Sequence, residues 1–130
     1  MNAVAVAKPG MRVFLGTCSQ VHNVREFVAE IIDGCPVADD VILLASEIAT
    51  NAVVHTASGK DGTFTVVVQP GDGMVRVEIH DGGSDTMPDI RSAEELAGSG
   101  LGLGLVETLA TRWGYLGDRD GRVVWFEVAW

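Results

Sequence analysis

Residues 43–55 read Leu-Leu-Ala-Ser-Glu-Ile-Ala-Thr-Asn-Ala-Val-Val-His, and this stretch has the periodicity of a helix with two unlike sides. Glu47, Asn51 and His55 follow one another at intervals of four residues. Each therefore lies about 40° further around the helix than the last. Apolar residues beside them share one arc, which we expect to face the core; they are Val41, Leu44, Ala45, Ile48 and Ala52. The pattern predicts a helix over residues 37–55 with a buried face and a polar edge.

The polar edge suits two chemical roles. A carboxylate such as Glu47, placed beside a buried stripe, can be partly desolvated, which makes it a better proton acceptor. The amide oxygen of Asn51 is a hard ligand of the kind that Mg²⁺ prefers. The alternative is ordinary surface chemistry, with a solvated Glu47 and an Asn51 that makes a local hydrogen bond. We expect Ser46, Thr50 and Asp39 to face solvent, opposite the core arc.

The rest of the chain alternates between strand and helix patterns. Gly, Pro and Asp residues mark the turns between them, as in Pro70-Gly-Asp-Gly73. This order predicts an α/β (α+β) fold, a two-layer sandwich with three helices on one face of a mostly antiparallel mixed sheet. A single domain over residues 1–130 is expected, with a loose start at 1–10. The predicted strands are 11–16, 64–69, 74–80, 114–117 and 122–128, and the predicted helices are 19–32, 37–55 and 101–112.

The segment His80-Asp81-Gly-Gly83 lies at the end of the predicted strand 74–80, with Asp81 directly after it. A carboxylate at a strand end, next to glycine, can accept a hydrogen bond from an exocyclic amine while the bare backbone lets a base approach. The amino group of adenine is a suitable donor. The alternative is an ordinary Asp-Gly turn.

Glycines alternate with other residues in Gly98-Ser-Gly-Leu-Gly-Leu-Gly104, where the third helix begins. Each glycine inside a helix costs about 1 kcal/mol relative to alanine. That cost is reasonable if backbone N–H groups must approach phosphate oxygens at a helix N-terminus. The spacing differs from the dinucleotide pattern Gly-x-Gly-x-x-Gly, and no Walker-type phosphate loop is present. The alternative is a flexible hinge with close helix packing.

Composition excludes several classes of function. The net charge is −9 and the nine basic residues form no run, so direct binding to nucleic acid is not expected. Apolar stretches are too short to span a membrane. Cys18 and Cys35 fit no zinc or redox spacing. Without an export signal, reduced thiols in a cytoplasmic protein are the default expectation.

Taken together, three segments resemble the GHKL ATPase superfamily. Residues 43–55 look like its N box, 77–83 like its first glycine box and 98–107 like its second. The similarity is greatest to the small anti-sigma-factor serine kinases and related stand-alone ATP-binding regulators of actinobacterial type, and it extends over roughly residues 11–129. It implies the Bergerat-type ATP-binding fold.

The resemblance also implies roles for particular residues. Asn51 would hold Mg²⁺, Asp81 would bind the adenine amine with Gly83 beside it, and residues 84–99 would form an ATP lid. Glu47 matches the acid that acts as general base in the kinases, where it accepts a proton from a substrate serine. The further nucleotide contacts would be His55, Gly98, Gly100, Leu101, Gly102, Leu103 and Gly104.

The resemblance further implies partners. These would be a serine-bearing antagonist of the anti-anti-sigma (STAS) type and a sigma factor, with a homodimer also possible. The exposed side of the first helix, with Arg25 and Glu26, would be the dimer or partner surface by analogy. Two functions stay open at this point: an ATP-dependent protein serine/threonine kinase, and a binding module whose ATP state gates a partner without phosphoryl transfer.

Overall fold

The helices of this protein pack against a sheet of five strands. The computed structural model describes residues 9–55, 62–82, 102–117 and 120–130. Three helices and five strands lie in these ranges. In chain order they are β1 (Gly10–Leu15), α1 (Gln20–Ile31), α2 (Ala38–His55), β2 (Thr63–Gly71), β3 (Met74–Asp81), α3 (Gly102–Leu109), β4 (Arg112–Gly117) and β5 (Arg122–Ala129).

The strands are arranged in the order β1-β2-β3-β5-β4. Every pairing among the described strands is antiparallel, including β3 with β5, which are separated in sequence by α3 and β4. Side chains alternate between the two faces of each strand, and one face is almost completely buried. On β3 this face carries Val75, Val77 and Ile79, each with no exposed surface. The predicted two-layer sandwich, with helices over one sheet face, is confirmed.

The core lies between that sheet face and the helices. Val24 and Val28 of α1 are fully buried, and Phe27 and Ile31 of the same helix pack against the core. On α2 the whole predicted core arc is buried: Val41, Leu44, Ala45, Ile48 and Ala52 are at most 2% exposed. Arg25 and Glu26 are exposed, as expected.

One part of the α2 prediction is wrong. Ser46, expected to face solvent, is only 9% exposed, and its hydroxyl donates to the Leu43 carbonyl at 2.8 Å. α2 contacts both α1 and α3 as well as the sheet, so only a narrow strip of its surface reaches water. Thr50 is half-buried and donates to the Ser46 carbonyl, whereas Asp39 is exposed as predicted.

The third helix is shorter than predicted. It ends at Leu109, and Arg112, which the pattern placed in the helix, is instead the first residue of β4. Pairing with β5 explains the early end, because the Thr111 amide donates to the Glu127 carbonyl at 2.7 Å and Arg112 lies opposite Glu127. Tertiary strand pairing therefore overrides the helical pattern of this segment.

Among the described helices, none is long and apolar enough to cross a membrane. Cys18 and Cys35 are both free thiols.

β1 is an edge strand of the sheet, and its outward side chains are exposed: Met11 by 71%, Val13 by 57% and Leu15 by 61%.

The outer face of the sheet is tied together by charged side chains around Glu127. Its carboxylate accepts hydrogen bonds from Arg112 on β4, at 2.8 Å, and from Arg76 on β3, at 3.1 Å. The Arg76 guanidinium also lies 4.3 Å from the centre of the Trp125 ring and donates to Glu78 at 2.9 Å. These contacts join three neighbouring strands on the side of the sheet away from the helices.

Replacing Glu127 with glutamine should lower the free energy of unfolding near neutral pH. Burial raises the pKa of Glu127, but hydrogen bonds from Arg112 and Arg76 outweigh burial and hold the pKa below its ordinary value of 4.5. A carboxyl group with a lowered pKa stabilises the fold above pH 4.5, and this contribution is lost as the pH falls through the folded-state pKa. We expect a loss of about 1.5–3 kcal/mol at pH 7, the range for hydrogen bonds to charged groups.

Urea unfolding of the native chain and of Glu127→Gln across a pH series checks this prediction. The difference between them should shrink in acid. Glu30→Gln is the matched control, since Glu30 is an exposed carboxylate on α1, and it should leave stability unchanged at every pH. A Glu127→Gln difference that stays constant down to pH values where carboxylates are protonated would contradict the account.

Candidate functional site

Asp81 is the last residue of β3, as the sequence predicted, and its side chain is buried. It lies on the same sheet face as Val75, Val77 and Ile79, so it points toward the helix layer. Its carboxylate side chain is only 1% exposed. A buried carboxylate is costly unless a cation or several donors compensate it.

Arg122 supplies that compensation. It is the first residue of β5 and lies directly opposite Asp81 in the β3–β5 register. Its Nε donates to Asp81 Oδ2 at 3.2 Å, and its own side chain is 6% exposed. The two side chains form a buried ion pair on the helix side of the sheet, at the end of β3.

The polar edge of α2 is half-buried. Glu47 and Asn51 both have intermediate exposure, between the buried core arc and the open strip of the helix. His55 is the last residue of α2, and its side chain lies outside the described part of the structure. The predicted placement of Glu47 and Asn51 at the margin of the core is therefore confirmed.

Apolar side chains border Glu47 on its solvent side. Leu43 is 39% exposed and Val54 57% exposed. They lie four residues before and seven residues after Glu47, so the three side chains share one side of α2. Glu47 is consequently placed where a partner protein could cover it with apolar contacts.

Only the C-terminal part of the glycine-rich segment, from Gly102 onward, lies among the described residues. α3 begins at Gly102, so Gly102, Leu103 and Gly104 form the first turn of a helix, as the sequence predicted. Backbone N–H groups of a first turn have no partner within the helix and are suited to bind anions. The predicted contacts Gly83, Gly98, Gly100 and Leu101, and the lid at 84–99, lie outside the described residues.

The three parts lie on neighbouring elements. α2 contacts both β3, which carries Asp81, and α3, which carries the glycines. The elements that carry the three predicted parts of the site therefore pack against one another around α2.

Sequence reasoning missed Arg122. Nothing in its local pattern distinguishes it from an ordinary first residue of a strand. The observation that identifies Arg122 is the strand register, since the pairing of β3 with β5 places Arg122 opposite Asp81. A search for a cation near each end of the sheet would have found it once that pairing was known.

Comparison with known proteins identifies the family of this chain. Residues 14–128 match the family described as the histidine kinase-like ATPase domain. This chain belongs to that family, and ATP is the nucleotide that the family description implies. No curated protein matches the chain significantly.

A solved structure shares the fold. It is the crystal structure of the RsbU and RsbW domains of Rv1364c from Mycobacterium tuberculosis, which this chain matches with a TM-score of 0.67 and 23% identity. The match covers 93% of this chain and 32% of that chain. The likeness establishes the fold, and the present chain corresponds to about a third of that longer polypeptide.

Proposed function

We propose that this chain is an ATP-binding regulator of the anti-sigma type that phosphorylates a serine of an anti-anti-sigma antagonist. The observation that carries the proposal is the buried Asp81 carboxylate at the end of β3, on the sheet face covered by α2. A carboxylate in that place is an acceptor suited to the amino group of adenine. Family membership supports the same nucleotide.

The remaining proposed roles belong to side chains of α2, to the first turn of α3 and to residues of the predicted glycine boxes. Asn51, half-buried at the edge of α2, offers a hard oxygen for Mg²⁺. One protein ligand is sufficient because Mg²⁺ usually keeps several waters and takes its other oxygens from phosphates. The first turn of α3 presents backbone N–H groups to phosphate. His55, Gly83, Gly98, Gly100, Leu101 and Leu103 are the further nucleotide contacts we propose.

Glu47 is the proposed general base. When bound, ATP supplies the phosphoryl group and Mg²⁺ offsets the charge of the phosphates. Glu47 would accept the proton of the serine hydroxyl as the hydroxyl oxygen attacks the γ-phosphorus and ADP leaves. Exposed Leu43 and Val54 on either side of it support docking of a partner at this part of α2.

A binding module gated by ATP, without phosphoryl transfer, is the second candidate. It is favoured by the same exposed apolar side chains, because they serve partner binding whether or not Glu47 acts as a base. Both candidates require ATP, and they differ only in the chemistry assigned to Glu47. A sigma factor and a STAS-type antagonist are the proposed partners in either case.

Asn51→Ala should remove most of the dependence of ATP binding on Mg²⁺. A ligand at 100 times its Kd stabilises the native state by about 2.7 kcal/mol, so binding can be read from thermal unfolding. For the native chain we expect a larger stabilisation by ATP with Mg²⁺ than with ATP and EDTA. For Asn51→Ala the two stabilisations should be nearly equal.

Asn23→Ala is the matched control, since Asn23 is a half-buried amide on α1 that bonds Gln20. It should keep the Mg²⁺ dependence of the native chain. Equal stabilisation of the native chain with Mg²⁺ and with EDTA would overturn the metal assignment. Absence of any stabilisation by ATP would overturn the proposed function.

A further inference from the structure

The pairing of Arg122 with Asp81 is built into the sheet. The two residues are direct cross-strand neighbours, Asp81 at the end of β3 and Arg122 at the start of β5. The side chain of Asp81 is 1% exposed and that of Arg122 is 6% exposed, so water solvates neither charged group well. The strand register places the two residues directly opposite each other, which brings the guanidinium within hydrogen-bond distance of the carboxylate.

This geometry determines what the carboxylate can do. An ionised carboxylate only accepts hydrogen bonds, and it accepts several at once, so an ion pair and a further donor can share it. Arg122 is the cation that the structure places at Asp81, and its hydrogen bond to Oδ2 orients the carboxylate.

We infer that Arg122 is a positioning residue that orients the Asp81 carboxylate toward the base, and thereby sets the selectivity for a 6-amino purine over a 6-oxo purine. This inference rests on the proposed function and adds a residue to it. The carboxylate oxygen accepts a hydrogen bond from the amino group of adenine and repels the carbonyl oxygen of hypoxanthine. Without Arg122 the carboxylate loses the hydrogen bond that orients it, so the two bases would be distinguished less.

The test compares ATP with ITP, which carries oxygen in place of the 6-amino group. Kd values for both nucleotides are measured for the native chain and for Arg122→Met and Arg122→Lys. We expect Arg122→Met to reduce the preference for ATP by about 10- to 100-fold, the range for a hydrogen bond to a charged group. Arg122→Lys retains the positive charge and should restore most of the preference.

Arg76→Met is the matched control. Arg76 also pairs with carboxylates and lies on β3, but on the outer face of the sheet. Its loss should leave the ratio of the two Kd values unchanged even if it lowers stability, because a purely structural change weakens ATP and ITP binding alike. If Arg122→Met does not fold, as judged by circular dichroism, Arg122→Gln provides the same neutral replacement.

The outcomes separate this inference from the proposed function. A native chain that binds ATP and prefers it to ITP, together with an unchanged ratio in Arg122→Met or Arg122→Gln, overturns the role of Arg122 alone. A native chain that binds neither nucleotide overturns both. Loss of the preference in the neutral variants and its recovery in Arg122→Lys supports the inference.

Discussion

Replacing Glu47 with glutamine is expected to slow phosphoryl transfer to a serine-bearing antagonist by about 10²–10⁴, the usual contribution of a general base. Glutamine has nearly the same shape and is polar, but it is uncharged and cannot take up the hydroxyl proton. Glu47 is half-buried at the edge of α2 and outside the buried core arc, so the variant should fold like the native chain. ATP affinity should change little, because Asn51, Asp81 and the first turn of α3 are untouched.

Single-turnover transfer from radiolabelled ATP, with the cognate antagonist in excess, measures this effect. Asp39→Asn is the matched control, since it removes another carboxylate from α2, at an exposed position, and should leave the rate unchanged. An unchanged rate in Glu47→Gln would rule out the role as base. Absence of transfer by the native chain, combined with normal ATP binding, would favour the module that is gated by ATP without chemistry.

Asp81→Ala is expected to have the largest effect on stability of any single change at the site. Removing one partner of a buried ion pair leaves an uncompensated charge and typically costs about 3–5 kcal/mol. In this variant Arg122, whose side chain is 6% exposed, would be a buried cation without its carboxylate partner. The variant also lacks the proposed acceptor for the adenine amine, so ATP binding should be lost even where the chain remains folded.

A double variant separates these two consequences. Asp81→Ala combined with Arg122→Met removes both charges and should recover much of the stability, because apolar replacements of a buried ion pair are often neutral or better. It should not recover ATP binding. Urea unfolding and nucleotide titration of the single and double variants provide the two readouts. A double variant that binds ATP like the native chain would contradict the role of Asp81, and a stable single variant would contradict the energetic argument.

Much of the fold follows from local patterns in the sequence. The apolar arc of α2 and the alternation in β3 each match the burial found in the structure, because a helix and a strand bury residues at fixed periods. The hairpin between β2 and β3 was also predictable, since Asp72 and Gly73 form the turn and Gly73 has φ of +77°. Asp81 could be placed at a strand end for the same reason.

The remaining features depend on contacts between distant segments. The burial of Ser46 depends on helices that pack beside α2, and the early end of α3 depends on pairing with β5. Arg122 becomes part of the site only through the register of β3 with β5. Helical and strand periods carry no information about such pairings, so these features could not be read from the sequence alone.

Titration of the native chain with a hydrolysis-resistant ATP analogue, in the presence of Mg²⁺, tests the central claim most directly. The account predicts saturable binding of one nucleotide per chain. The corresponding GTP analogue should bind much more weakly, because its six-position oxygen would face the Asp81 carboxylate. No binding of the ATP analogue, or equal affinity for the two nucleotides, would contradict it.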